Sequence, residues 1–92
     1  MNQKRLICGK LQGNNVLRFW KVEDENIDTH IGNYAIVENM DSYALVKILG
    51  LVITSEQEAL SISNTDYKRM KRMLKEISIE DLLEKGAEEW KK

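Results

Sequence analysis

Strand-forming side chains crowd two runs of the chain, YAIVENM over residues 34–40 and YALVKILGLVIT over 43–54, with the short polar segment Asp41–Ser42 between them. Val, Ile and Tyr suit a pleated, half-buried surface, and so short a polar break predicts a hairpin. Glu38, Asn39 and Lys47 read as its outward face. The second run is long enough to bend at Gly50, and a glycine inside a strand marks a bulge or bend that lets one strand serve two sides of a small barrel. Upstream, KRLICGKLQ (4–12) and VLRFWKV (16–22) flank GNN, whose residues tolerate positive φ, so a second hairpin is expected there. EDENIDTHIGN (23–33) is a polar, acidic loop, and SEQEALSIS (55–63) is read as a short final strand around Ala59 to Ile62.

The period changes at Ser63. Tyr67, Met70, Leu74 and Ile77 follow one another at steps of three and four, which predicts a helix over 65–76 with Ser63, Asn64 or Thr65 as its N-cap. Ser78 offers a second cap, with Glu80 and Asp81 placed where the helix dipole favours acids, and Ile79, Leu82, Leu83 and Trp90 continue an apolar stripe. The pattern leaves open whether 64–91 is one helix bent near Ser78 or two, and two is the preferred reading. Strands followed by helix give an α+β chain: a small, strongly bent antiparallel sheet or barrel of about five strands over 1–62, then one or two C-terminal helices over 64–91.

Ninety-two residues fill one domain with one modest core, so 1–92 is read as a single domain. Hydrophobic residues at 42% and charged residues at 32% exclude a disordered tail. The formal net charge of −1 gives no general pull toward nucleic acid or acidic membranes, so any such binding must come from uneven charge placement. A single cysteine, Cys8, forms no internal disulfide, and the longest early apolar run is LIC, far below a signal-peptide core or a membrane span. A cytoplasmic setting with no membrane contact is expected.

Catalytic and metal signatures fail on inspection. His30 is the one histidine, and nothing in the strand pattern brings Cys8 to it, so the pair gives no activated nucleophile. One histidine and one cysteine are too few for a structural zinc site. Asp24, Asn26 and Asp28 copy the opening of a calcium loop, but that loop needs glycine at its sixth position and glutamate at its twelfth, where Thr29 and Ala35 stand. Gly9–Lys10 lacks the rest of a phosphate loop. No cofactor and no enzymatic activity are expected.

Charge placement is the remaining lead. Residues 66–75, DYKRMKRMLK, hold five basic residues against one acid, whereas 76–89 holds six acids and only Lys85. The N-terminal hairpin carries a second basic group, Lys4, Arg5, Lys10, Arg18 and Lys21, beside Phe19 and Trp20. Basic residues interleaved with aromatics on a small barrel suit a single-strand nucleic-acid binder, while the acidic stretches repel a phosphate backbone.

The run IGNYAIVENMDSYALVKILGLV resembles small SH3-like and OB-like barrels, in which a Gly-polar turn precedes a YAVVEN-type strand, a short loop and an LVKVVG-type strand. It is also similar to uncharacterised small β-barrel proteins of bacterial phages and mobile elements, whose barrel precedes a Lys-rich tail like YKRMKRML. The resemblance spans about residues 31–75 and implies a fold rather than an activity. The expected function is a small non-enzymatic protein-interaction module of phage or mobile-element type, with homodimerisation through a free strand edge or the Leu82, Leu83 and Trp90 stripe. The alternative is a nucleic-acid-binding accessory protein. For either partner the candidate contacts are Arg18, Trp20 and Lys21 on the hairpin and Lys68, Arg69, Lys71, Arg72 and Lys75 on the expected helix.

Overall fold

The computed structural model describes residues 3–83. Among the described residues six strands form two three-stranded antiparallel sheets. β1 (Lys4–Gly9) lies between β2 (Arg18–Val22) and β5 (Gly50–Thr54), and β3 (Tyr34–Asn39) lies between β4 (Ser42–Lys47) and β6 (Met73–Ile77). The expected hairpins are both present: Gly9 faces Arg18 across β1 and β2, and Asn39 faces Ser42 across β3 and β4 around Met40–Asp41.

The run 43–54 serves both sheets, as the position of Gly50 suggested. Between β4 and β5 the chain crosses over at Ile48 and Leu49, whose N–H groups donate to Asn33 O at 2.8 Å and Cys8 O at 2.8 Å. Two glycines pack closely around this crossing, Gly9 at the end of β1 and Gly50 at the start of β5. A Cβ on Gly9 would stand 2.6 Å from the Lys47 carbonyl oxygen, and one on Gly50 would stand 2.7 Å from Cys8 Sγ. On the far side the strand pairing between the sheets is, among the described residues, one isolated parallel bridge between Lys21 and Arg72, where the Lys21 N–H donates to Lys71 O at 2.9 Å. The two sheets are therefore not closed into a barrel.

Two apolar clusters hold the fold. Ile7, Trp20 and Val22 from one sheet meet Ala35, Val37, Val46, Ile48 and Met73 from the other, and burying a side chain of the size of Ile or Val stabilises by about 1.5–3 kcal/mol. On the outer face of the first sheet, Leu6 packs with Ala59, Tyr67 and Met70. This second cluster explains why Leu6, Ile7 and Cys8 are consecutive apolar residues rather than alternating ones: β1 is covered on both faces.

Two sequence expectations are corrected. Residues 56–63 are not a strand but helix α1 (Glu56–Ser63). Its N-cap Ser55 accepts the Glu58 N–H at 3.2 Å, Glu56 and Glu58 sit in the first turn, and Asn64 ends it at φ 60 with its N–H on Leu60 O. Residues 65–76 are not a helix. Asp66 caps a short 3-10 turn, Tyr67–Arg69, and the chain then extends into β6 along β3. Tyr67 and Met70 keep their three-residue spacing because a 3-10 turn also returns every third residue to one side, and both are buried on the outer cluster. Met73 instead turns into the core opposite Val37, past a register shift between Ile36 and Val37 that disturbs simple alternation. The second cap is found as expected: Ser78 Oγ accepts the Asp81 N–H at 3.1 Å, and residues 79–83 are helical. Residues 84–91 of the expected helical segment, with Trp90, lie outside the described residues.

Candidate functional site

The fold sends the eight candidate residues to different places. Trp20 is 3% exposed, packs in the core, and donates its indole N–H to Glu38 O at 3.0 Å, so it offers no free ring face for stacking. Lys21 is 7% exposed. It stands on the outer face of β2, where its ammonium donates to Tyr67 O at 3.1 Å and Lys68 O at 3.4 Å, and it lies 4.9 Å from the Tyr67 ring centroid and 3.8 Å from a Glu23 carboxylate oxygen. A lysine so placed fastens the 3-10 turn to the sheet. Arg72 is equally engaged: its backbone N–H and Nε donate to Glu38 Oε1 at 2.8 and 3.2 Å, and a terminal nitrogen donates to Oε2 at 3.2 Å. These bonds, before the charge itself, hold the Glu38 carboxyl below the ordinary glutamate range. Lys75 is exposed on β6, opposite Ile36.

The other cations are placed differently. Arg18 opens β2, Arg69 ends the 3-10 turn and Lys71 precedes β6, yet all three border one groove of about 480 Å³. The antiparallel return of β2 brings Arg18 back beside the chain that leaves α1, and the bridge between Lys21 and Arg72 fixes the two segments side by side. Among the described residues no Asp or Glu lines this groove. Among the described residues Arg18, Arg69 and Lys71 pair with no carboxylate, whereas Lys4, Lys21 and Arg72 do. Its walls are mixed: Asn39, Ser63, Asn64 and Thr65 line it together with Leu11, Val16, Leu17 and Phe19, of which Val16 and Leu17 are exposed large side chains, Leu17 at 46%. Sequence reasoning named the cations but missed Val16 and Leu17, whose place beside the GNN turn was the available signal.

A larger cleft of about 590 Å³ mixes charges, with Lys4, Arg5, Lys21 and Lys68 against Glu23, Glu25 and Glu56. Tyr67 lines it, and its ring has the Lys4 ammonium at 5.3 Å as well as that of Lys21. Burial, then the nearby Glu23 and Glu56 carboxylates, push the Tyr67 hydroxyl above its ordinary value, so the phenol stays protonated. Much of this charge is engaged within the cleft: Lys4 meets Glu56 and Lys21 meets Glu23, each at 3.8 Å, and Arg5 donates to the backbone oxygens of Ile27 at 2.8 Å and Asp24 at 2.9 Å.

The remaining reactive groups stand apart. Cys8 Sγ lies against Gly50, and burial pushes its thiol up, away from the thiolate form a nucleophile needs. His30 meets Glu76, with Nδ1 3.1 Å from Oε1. Among the described residues no group of three His, Cys, Asp or Glu is placed to hold a metal ion, and no helix is long and apolar enough to cross a membrane. No protein-family model, curated protein or solved structure matches the chain.

Proposed function

We propose that this protein is a small non-enzymatic protein-interaction module whose contact surface is the groove bordered by Arg18, Arg69 and Lys71. The observation that carries the reading is the convergence of three cations, unpaired among the described residues, on a groove of mixed polar and apolar walls with no acid among its described lining residues. Cations next to exposed Val16 and Leu17 suit a protein segment that brings both carboxylates and apolar side chains. The sheets act as a rigid platform, and an origin in a phage or mobile element fits the resemblance of residues 31–75.

A second reading, nucleic-acid binding, is favoured by one observation: the fold joins a cation of the N-terminal hairpin to two from the basic stretch 66–75. Against it, the exposed large side chains of the groove, Val16 and Leu17, are aliphatic, Phe19 is half-buried and Trp20 is buried, so the stacking that single-strand binding relies on has little surface. Affinity capture from nuclease-treated lysate of the source cell tests the first reading, with the triple variant Arg18→Glu/Arg69→Glu/Lys71→Glu as comparison. Proteins retained by the wild type and lost by the variant support it, and identical capture by both contradicts it. Labelled single- and double-stranded DNA and RNA at low and moderate salt test the second, which requires steeply salt-sensitive binding.

A further inference from the structure

The described end of the chain carries the complement of the groove. The Ser78 hydroxyl and carbonyl accept the Asp81 and Leu82 N–H groups, both at 3.1 Å, and open a helical turn over 79–83. That turn exposes Glu80 and Asp81 beside Ile79 and Leu83, with Leu83 at 67%. Neither acid pairs with a cation among the described residues. The 79–83 turn thus carries acids flanked by exposed apolar residues, and the groove carries cations flanked by exposed apolar residues.

Within one copy the two stay apart. Ile77, just before the turn, pairs with Tyr34 at one end of β3, whereas Asn39 at the other end of β3 borders the groove. Five steps along the strand separate those ends by roughly 17 Å. No residue of 78–83 lines the groove.

We propose that the groove of one copy takes the 79–83 turn of a second copy, with Glu80 and Asp81 meeting Arg18, Arg69 and Lys71, and with Ile79 and Leu83 against Val16 and Leu17. The inference rests on the reading of the groove as a protein-contact surface and names one occupant of it. The argument for a second copy is the charge and apolar match between two surfaces of one chain, together with a net charge of only −1, which leaves little repulsion between copies. The contact joins two different patches, so a two-fold dimer contains it twice.

The test is multi-angle light scattering of the full chain from micromolar to millimolar concentration at low and moderate salt. The wild type should gain mass with concentration and lose it with salt. Arg18→Glu/Arg69→Glu and Glu80→Lys/Asp81→Lys should each weaken association by about tenfold or more, because like charges then face each other. The two variants mixed, or all four substitutions in one chain, should recover it. All four positions are exposed, and circular dichroism checks that each variant keeps its fold. A wild type that stays monomeric throughout, or reversal variants that associate like the wild type, would overturn the proposal. Neither result touches the groove reading itself, which falls only if capture of other proteins ignores the groove substitutions.

Discussion

The Lys21 ammonium sits 4.9 Å from the centre of the Tyr67 ring and 3.1 Å from the Tyr67 carbonyl oxygen, across 46 residues of sequence. A residue that reads as a surface cation in the sequence is therefore a fastener between β2 and the 3-10 turn. Lys21→Ala removes a buried aliphatic stem and charge-assisted hydrogen bonds together, so it should cost about 2–3 kcal/mol in urea denaturation. Lys21→Met keeps the stem and should recover part of that loss. Two variants that both unfold like the wild type would show that Lys21 holds nothing.

Glu38 and Arg72 give a pH dependence with a defined sign. Hydrogen bonds from Arg72 lower the folded pKa of Glu38 from the ordinary 4.5, so the fold favours the carboxylate. That contribution is fully present above the unfolded value, declines below it, and is gone once the pH has fallen through the lower folded value. The stability difference between wild type and Glu38→Gln should therefore be largest near neutral pH and close under acid. Thermal denaturation of both proteins across that range checks it. A difference that grows on acidification contradicts the assignment.

The glycines at the crossing predict an order of damage. An added methyl at Gly9 meets a backbone oxygen that cannot step aside, whereas one at Gly50 meets the Cys8 thiol, which can be removed. Gly9→Ala should cost about 1–3 kcal/mol by overpacking. Gly50→Ala should be partly rescued by Cys8→Ala in a double-mutant cycle, since the clash partner is then gone. Full additivity of the Gly50 and Cys8 substitutions would contradict the packing described.

What was legible in the sequence follows from how local each signal is. The two hairpins, and the service of both sheets by the run 43–54, were readable because turn residues and β-branched runs act over a few positions, although the break falls at Ile48 and Leu49 rather than as a bend at Gly50. The Ser78 cap was readable for the same reason. Helix α1 was missed although Ser55 and Glu58 form the S-x-x-E signature of a capping box, because Ala59 is its one buried residue and eight residues show almost no period. The expected helix over 65–76 failed for a different reason. Tyr67 and Met70 do share a side, but the open edge of β3 outcompetes local helix preference from Met73 onward, and no local pattern reports a distant strand edge. The site was half legible: the basic residues were visible, but which of them are spent on Glu23, Glu38 and the Tyr67 carbonyl, and which stay free in the groove, depends on contacts across the sheets.

Site-directed photo-cross-linking in the source cell tests the central claim most directly, with a photoreactive residue at Leu17 in the groove and, separately, at Tyr43 on the outer face of β4. Both side chains are exposed, so each position can report a neighbour without disturbing the core. Protein adducts from position 17 that disappear with Arg69→Glu/Lys71→Glu, and are absent from position 43, are the expected result. Adducts from position 43 alone, or adducts at 17 made of nucleic acid rather than protein, would contradict the reading of this groove as a protein-contact surface.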